Sequence, residues 1–299
     1  MCIGITGVQN ITDFCVYKSI SMKARAKINL SLDVTSQRSD GYHDIKTIMQ
    51  TINLHDNIII DVIDNGIELE CNSMSVPHDC KNIAYKAAEL FISEFNIKSG
   101  VRIKIDKNIP VAAGLAGGSS DAAAVLIGMN KLFNCGIDVF KLISIGKLLG
   151  ADIPYCIKGG TVLAKGIGDI LKELKEIPVT YVVLVVPKVL VSTKWVYQNI
   201  DINKINIRPD MDLLLSAISE GNITLLAENM VNVLETVTIE KFEIINTIKQ
   251  KLKEFGALGS LMSGSGPSVF GLFKDKNFAL EAYRKIKCND WYSFVTETT

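Results

Sequence analysis

Residues 108–125, Asn-Ile-Pro-Val-Ala-Ala-Gly-Leu-Ala-Gly-Gly-Ser-Ser-Asp-Ala-Ala-Ala-Val, are built to hold an anion. A strand-like segment, Val101 to Asp106, leads into them, and an alanine-rich run from Ala122 to Met129 follows with strong helix propensity. The order is strand, glycine-rich loop, helix N-terminus. Gly114, Gly117 and Gly118 let the backbone turn tightly and leave its N–H groups unscreened by Cβ atoms. The helix adds free N–H groups and the positive end of its dipole. Together these suit the phosphates of a nucleotide. No Gly-Lys-Ser/Thr closes the loop, so it is not a Walker A motif. No acidic residue about 20 positions on ends a second parallel strand, so it is not a dinucleotide fingerprint. Taken alone, the stretch also reads as a glycine-rich turn capped by Ser119.

Four other places carry side chains with chemical potential. Lys27 and Asn29 stand two apart on an alternating strand, on the face opposite Ile28 and Leu30, and so point the same way. In Arg38-Ser39-Asp40-Gly41-Tyr42-His43 the Asp-Gly pair marks a tight turn that presents a phenol ring beside an imidazole. Asp152, in Gly150-Ala151-Asp152-Ile153-Pro154, is expected in a stiff non-helical turn after a helix that Gly150 caps. Ser263-Gly264-Ser265-Gly266-Pro267-Ser268 is a second small-residue loop, open enough for phosphate or ribose.

The elements that must position these groups alternate in type without a βαβα rhythm. Strands are expected at 23–34, 45–54, 57–63 and 67–71, then a helix from the Asn82 cap to about Phe95. After the glycine loop and its helix come a helix at 139–149, strands at 160–166 and 170–174, and a buried strand at 181–186. The second half is helix-rich, with helices from Ser192 or Thr193, at 211–219, 223–234 and 239–255. Strands at 258–262 and 269–273, a helix at 278–286 and a strand at 291–295 close the chain. This is an α+β pattern rather than a doubly wound one. Pro187 is the expected lobe boundary, giving residues 22–187 and 188–299. Residues 1–21 fit no signal peptide, and Met22 opens a complete strand, so the leading stretch is expected to be a dispensable extension.

Composition narrows the class. Of 299 residues 48% are hydrophobic, enough for a large core, and the formal net charge is zero, which gives no case for nucleic acid or a membrane surface. The seven cysteines, at 2, 15, 71, 80, 135, 156 and 288, never form Cys-x-x-Cys, and the three histidines lack metal-ligand spacing. A reducing cytoplasm is expected, with no disulfide framework and no protein-held metal. No apolar run approaches the roughly 18 residues of a membrane span.

Ala26-Lys27-Ile28-Asn29-Leu30, Pro110-Val111-Ala112-Ala113-Gly114-Leu115-Ala116-Gly117-Gly118-Ser119-Ser120-Asp121 and Ser263-Gly264-Ser265-Gly266 together resemble the GHMP kinase superfamily. Asp40-Gly41-Tyr42-His43 and Leu149-Gly150-Ala151-Asp152-Ile153-Pro154 narrow the resemblance to the branch acting on a CDP-linked methylerythritol, from Met22 to about Phe273. Arg25 stands where the family commonly has Pro, and Asp121 where some members have Asn. The resemblance implies a two-lobed fold: a ribosomal protein S5 domain 2-like N-terminal lobe, a ferredoxin-like C-terminal lobe, and the active site in the cleft between them. It implies transfer of the ATP γ-phosphoryl group to the 2-hydroxyl of a CDP-linked polyol, with Mg2+ carried by the nucleotide. Asp152 would be the base and Lys27 its partner. Pro110 to Ser120 and Ser263 to Gly266 would hold ATP. Tyr42 and Tyr197 would sandwich cytosine, His43 would read its edge, and Thr193 and Asn29 would contact the substrate. A monomer or weak homodimer is implied. Two rival readings are another GHMP kinase, for homoserine or mevalonate, and a non-catalytic nucleotide-binding regulator.

Overall fold

A computed structural model describes residues 17–299. The first sheet is built on a long antiparallel ribbon of β1 (Ser19–Gln37) and β2 (His43–Ile63). Along its other edge β2 pairs with two strands, one at each end. β4 (Gly100–Asp106) takes residues 57–63, with β3 (Ile67–Cys71) parallel beyond it. β5 (Thr161–Lys165) takes residues 47–50, with β6 (Ile170–Glu173) beyond. Four helices cover one face: α1 (Ile83–Phe95), α2 (Gly117–Leu132), α3 (Val139–Lys147) and α4 (Ile153–Lys158). α1 starts where expected, because the Asn82 side chain accepts the Ala84 N–H at 2.8 Å.

The second sheet runs β10-β7-β9-β8, all antiparallel: β7 (Tyr181–Pro187), β8 (Gly259–Met262), β9 (Val269–Phe273) and β10 (Trp291–Glu297). Around it lie α5 (Thr193–Asn199), α6 (Met211–Glu220), α7 (Ile223–Glu228), α8 (Glu235–Lys241), α9 (Ile244–Glu254) and α10 (Lys276–Ile286). Val182 and Leu184 of β7 pack toward the first sheet, against Ile28, Leu30, Ile48 and Ile52. Val183 and Val185 pack the other way, against α9 and α10. The continuous apolar run of β7 is therefore that of a strand buried on both faces. Among the described residues no helix is long and apolar enough to cross a membrane.

The mixed, two-sheet architecture matches the α+β expectation, with four local differences. β1 opens at Ser19, three residues before Met22, and Ser19–Ser21 pair with Ile59–Asp61. Those three residues are part of the sheet, the Lys18 carbonyl before them accepts the Val62 N–H at 2.9 Å, and residues 1–16 of the supposed extension lie outside the described residues. The expected boundary at Pro187 leaves β7 with the first lobe, whereas its partners β9 and β10 belong to the second sheet. A single strand face was expected to be buried in β1, but Ala26 to Leu32 are buried on both, because loops cover the Lys27 and Asn29 side. The helix expected over 223–234 stops at Glu228, and the one expected over 239–255 is divided between α8 and α9. Tertiary bonds override helix propensity at the first break. Leu32 N–H donates to the Val231 carbonyl, Val233 N–H donates to the Leu32 carbonyl, and the buried Asn232 amide donates to the carbonyls of Met262 and Gly264.

Candidate active site

The glycine-rich loop alternates inward and outward. Ala113 and Leu115 are buried in the core shared by the two sheets, and Lys27 N–H donates to the Leu115 carbonyl at 3.1 Å. Between them the backbone takes left-handed conformations at Ala112 (φ 54°), Gly114 (φ 75°) and Ala116 (φ 57°). For the two alanines this costs on the order of 1 kcal/mol each, sustained by the buried anchors on either side. Gly117 and Gly118, expected from the sequence to turn the loop, instead open α2, with Ala116 at its N-cap and Ser119 inside the first turn. At Gly117 a Cβ would stand 3.1 Å from the Ile109 side chain and 3.2 Å from Lys107 Nζ. Residues 110–119 line a cavity of about 410 Å³ at the α2 N-terminus. Ser120 does not reach it. Its buried hydroxyl donates to the Arg25 carbonyl at 2.5 Å and ties α2 to β1.

Sequence reasoning passed over a buried charge cluster on the wall of this cavity. Lys107 Nζ lies 2.5 Å from Asp56 Oδ2 and 2.8 Å from Asp121 Oδ2. Asp56 Oδ1 accepts the N–H groups of Asn108 (2.5 Å) and Ile109 (2.8 Å), which fixes the chain just before the loop. Burial works against the Lys107 ammonium, yet the two carboxylates outweigh it and hold its pKa above the usual lysine value. Burial, opposed in part by Lys107 and reinforced by Asp56, pushes the Asp121 carboxyl up to about 8. One lysine cannot balance two buried carboxylates, and this imbalance favours the protonated form of Asp121.

A stability consequence follows from the sign of that shift. Between the ordinary carboxylate range and about pH 8 the folded chain holds a proton that the unfolded chain has released. This contribution therefore falls as pH rises through that window. Wild type should lose about 3 °C or more in Tm between pH 6 and 8 relative to Asp121→Asn, which mimics the protonated acid and should be flatter. Parallel Tm profiles for the two proteins would exclude a raised Asp121 pKa.

On the other side of the loop lies a cavity of about 860 Å³. Lys27 and Asn29 do project together: Lys27 Nζ donates to Asn29 Oδ1 at 2.7 Å, and Asn29 Nδ2 donates to Thr47 Oγ1 at 2.8 Å. Thr47 in turn donates to the Ser31 carbonyl at 2.5 Å, so the amide is clamped and holds the ammonium in place. Asp152 lines the same cavity. The expected Gly150 cap is not formed, since the preceding helix ends at Lys147 with Leu148 at its C-cap. The short turn that follows leads at once into α4, with Asp152 in helical conformation at the N-cap position and Pro154 in the first turn. A proline there begins a helix rather than breaking one, since its missing N–H would have had no partner. The Asp152 side chain makes no capping bond. Its carboxylate is left for the cavity. Nearby, burial and then Asp152 push the Cys156 thiol up to about 12, so this cysteine is no nucleophile at neutral pH.

The far end of the cavity is aromatic. Gly41 (φ 85°) turns the β1–β2 hairpin, and Asp40 Oδ1 accepts the Tyr42 N–H at 3.1 Å. Tyr42 is 61% exposed at the rim, whereas His43 is buried, its ring centroid 5.4 Å from that of Tyr197 on α5. That spacing admits no base between His43 and Tyr197. Burial, then Asp152, raises the Tyr197 phenol, which stays neutral. α5 is anchored by its Ser192 cap and by the Thr193 hydroxyl, 2.8 Å from Ser265 Oγ.

Loop 263–268 seals the middle. Ser263 Oγ donates to the Gly114 carbonyl at 3.0 Å, and a Cβ on Gly264 would be 3.6 Å from Lys27 Nζ. Gly264 and Ser265 line the larger cavity, while Ser263 and Gly266 line neither and instead brace the loop. The two cavities share Gly114, Ala116 and Ser119. Lys27 and Asp152 line the larger cavity and not the smaller.

Comparison with known proteins identifies the fold and the family. Residues 82–160 match the GHMP kinases N terminal domain and residues 214–293 the GHMP kinases C terminal. A 4-diphosphocytidyl-2-C-methyl-D-erythritol kinase of Acetivibrio thermocellus is 57% identical over 281 residues, 94% of this chain and 99% of the relative. A crystal structure of a 4-(cytidine 5'-diphospho)-2C-methyl-D-erythritol kinase superposes with a TM-score of 0.82 at 30% identity, covering 93% of this chain and 99% of that one. The homoserine kinase of Cytophaga hutchinsonii shares the fold, with a TM-score of 0.76 at 21% identity over 95% of each chain. With both domain matches in place and a relative this close along nearly its whole length, the chain belongs to the GHMP kinase family.

Proposed function

We propose that this chain transfers the γ-phosphoryl group of ATP to the tertiary 2-hydroxyl of 4-diphosphocytidyl-2-C-methyl-D-erythritol, giving the 2-phosphate and ADP on the non-mevalonate route to isopentenyl diphosphate. The observation that carries this reading is the junction of the two cavities at Gly114, Ala116 and Ser119, with an uncommitted carboxylate and a clamped ammonium on the acceptor side. The 57% identity to a kinase of that name supports the acceptor.

A tertiary alcohol is a weak nucleophile whose proton needs a destination, and Asp152 stands where it can take it. Lys27, steadied by Asn29, orients the hydroxyl and draws charge from the transferring phosphoryl oxygens. The outward backbone of residues 112–118 receives the triphosphate, and the Ser119 hydroxyl faces both ligands at the junction. Mg2+ carried by the triphosphate would supply charge neutralisation, and Ser119 at the junction is the oxygen ligand this loop could offer it. Cytosine lies between Tyr42 and Tyr197 with its edge toward His43. Both ligands diffuse freely, in keeping with a cytoplasmic enzyme working as a monomer or weak homodimer.

Homoserine and mevalonate carry no base, so Tyr42, His43 and Tyr197 would be idle in a kinase for either. A phosphoryl-transfer assay with ATP across the CDP-linked substrate, homoserine and mevalonate decides the matter, and turnover confined to one of the latter two would overturn the reading. The base site has its own test. Tyr42→Ala or Tyr197→Ala should weaken the CDP substrate by about 1–3 kcal/mol while sparing ATP, as expected for lost stacking. His43→Ala should relax discrimination between cytidine and uridine forms. Equal weakening of both ligands would indicate general damage, and an unchanged KM would remove these residues from the site.

A further inference from the structure

The acceptor cavity has aromatic groups at one end and the proton-transfer pair at the other, and the link between cytidine and erythritol is a diphosphate. That link must cross the middle of the cavity with its negative charges. The cationic side chains on the cavity wall are Lys27 and Lys194. Lys27 is held against Asn29 at the reacting end, 2.7 Å from its amide oxygen. The guanidinium of Arg38, which does not line the cavity, is spent on Asp40 (2.8 Å), which does. Lys194 is different. It lies exposed on α5, and among the described residues its ammonium makes no ion pair or hydrogen bond.

The setting of α5 fixes where Lys194 points. Val196 is fully buried, and Trp195 is covered by Lys241, whose Nζ sits 3.9 Å from its ring centroid. Thr193 is tied to Ser265 on the junction loop. With those positions taken, Lys194, Tyr197 and Gln198, spaced three and four apart, share the remaining face, and all three line the cavity. We propose that Lys194 is a specificity-determining residue that binds the diphosphate of the nucleotide-linked acceptor, so that α5 reads base and phosphate with successive turns of one face. The proposal rests on the function argued above for this cavity.

The test compares CDP with cytidine as inhibitors of the full-length enzyme, because the two probes differ only in the phosphates. In Lys194→Gln the KM of the CDP substrate and the inhibition constant of CDP should each rise about tenfold in about 0.05 M salt, the scale of a lost charge-assisted contact. Inhibition by cytidine and the KM for ATP should move by less than about twofold, and the loss should shrink in about 0.5 M salt. Lys194→Arg should restore most of the CDP affinity. If CDP binds Lys194→Gln as it binds wild type, the assignment is wrong even though wild type still turns over the CDP substrate. If cytidine weakens as much as CDP, α5 itself has moved and the assignment is again wrong. Failure of wild type to use the CDP substrate would instead overturn the function.

Discussion

Asp152→Asn should fold, bind ATP and yet turn over at least about 10²-fold more slowly than wild type, the scale of general-base contributions. The fold is spared because the Asp152 side chain makes no capping bond, and Pro154 and Gly150 shape the turn without it. ATP binding is spared because Asp152 lines the larger cavity only. On the function proposed above, what is lost is the proton acceptor beside the hydroxyl, and Asn at the same place keeps the shape without the charge. A kcat measurement with the CDP substrate, alongside Kd for an ATP analogue, separates these effects. A kcat within about threefold of wild type would remove Asp152 from proton transfer, and a parallel loss of ATP affinity would assign it to the nucleotide.

Gly114→Ala should damage stability and turnover together. The residue sits at φ 75°, where a side chain costs about 1–2 kcal/mol. Its new Cβ would also stand 2.4 Å from the Ser263 carbonyl oxygen and 3.1 Å from that of Gly266. Neither is the end of a flexible side chain, so one of two packed loops must move. A destabilisation of about 2–4 kcal/mol is expected, about 3–6 °C in Tm for a chain of this size. Because Gly114 belongs to both cavities, kcat/KM should fall by more than about tenfold in the fraction that remains folded. Gly118→Ala is the control. Its Cβ would meet Ile83 at an ordinary 3.5 Å inside α2, so Tm should hold or rise. A Gly114→Ala protein that melts with wild type would mean the two loops are less tightly coupled than their hydrogen bond suggests.

Local signals in the chain were informative wherever one residue decides one turn of structure. The Asn82 cap, the alternation in β1 and the apolar run of β7 each specify their element through nearest neighbours. Lys27, Asn29, Asp152, Tyr42, His43, Thr193 and Tyr197 all line one cavity. Their roles are read from chemistry. What stayed hidden depends on partners distant in sequence. Lys107 gains meaning only when Asp56, 51 positions earlier, is folded against it. Ser120 looked like a phosphate ligand until β1 supplied the Arg25 carbonyl. The break before α8 follows from Asn232 bonding to the strand and loop at 262–264, which no helical periodicity can foretell. The loop's left-handed alanines are likewise imposed by buried Ala113 and Leu115.

The two sheets do not merely adjoin; they hold one hydrophobic interior in common. Ile28, Leu30, Ile48 and Ile52 from the first pack with Val182, Leu184, Leu261 and Phe270 from the second. Cutting the chain between β6 and β7 would therefore open a broad apolar surface on both fragments, of the kind that drives aggregation in water. Heat or denaturant meets the same constraint, since neither half can melt and leave the other with its interior closed. The candidate cleft thus lies beside a core that both sheets hold in common, and loosening that core would be felt on both sides of it.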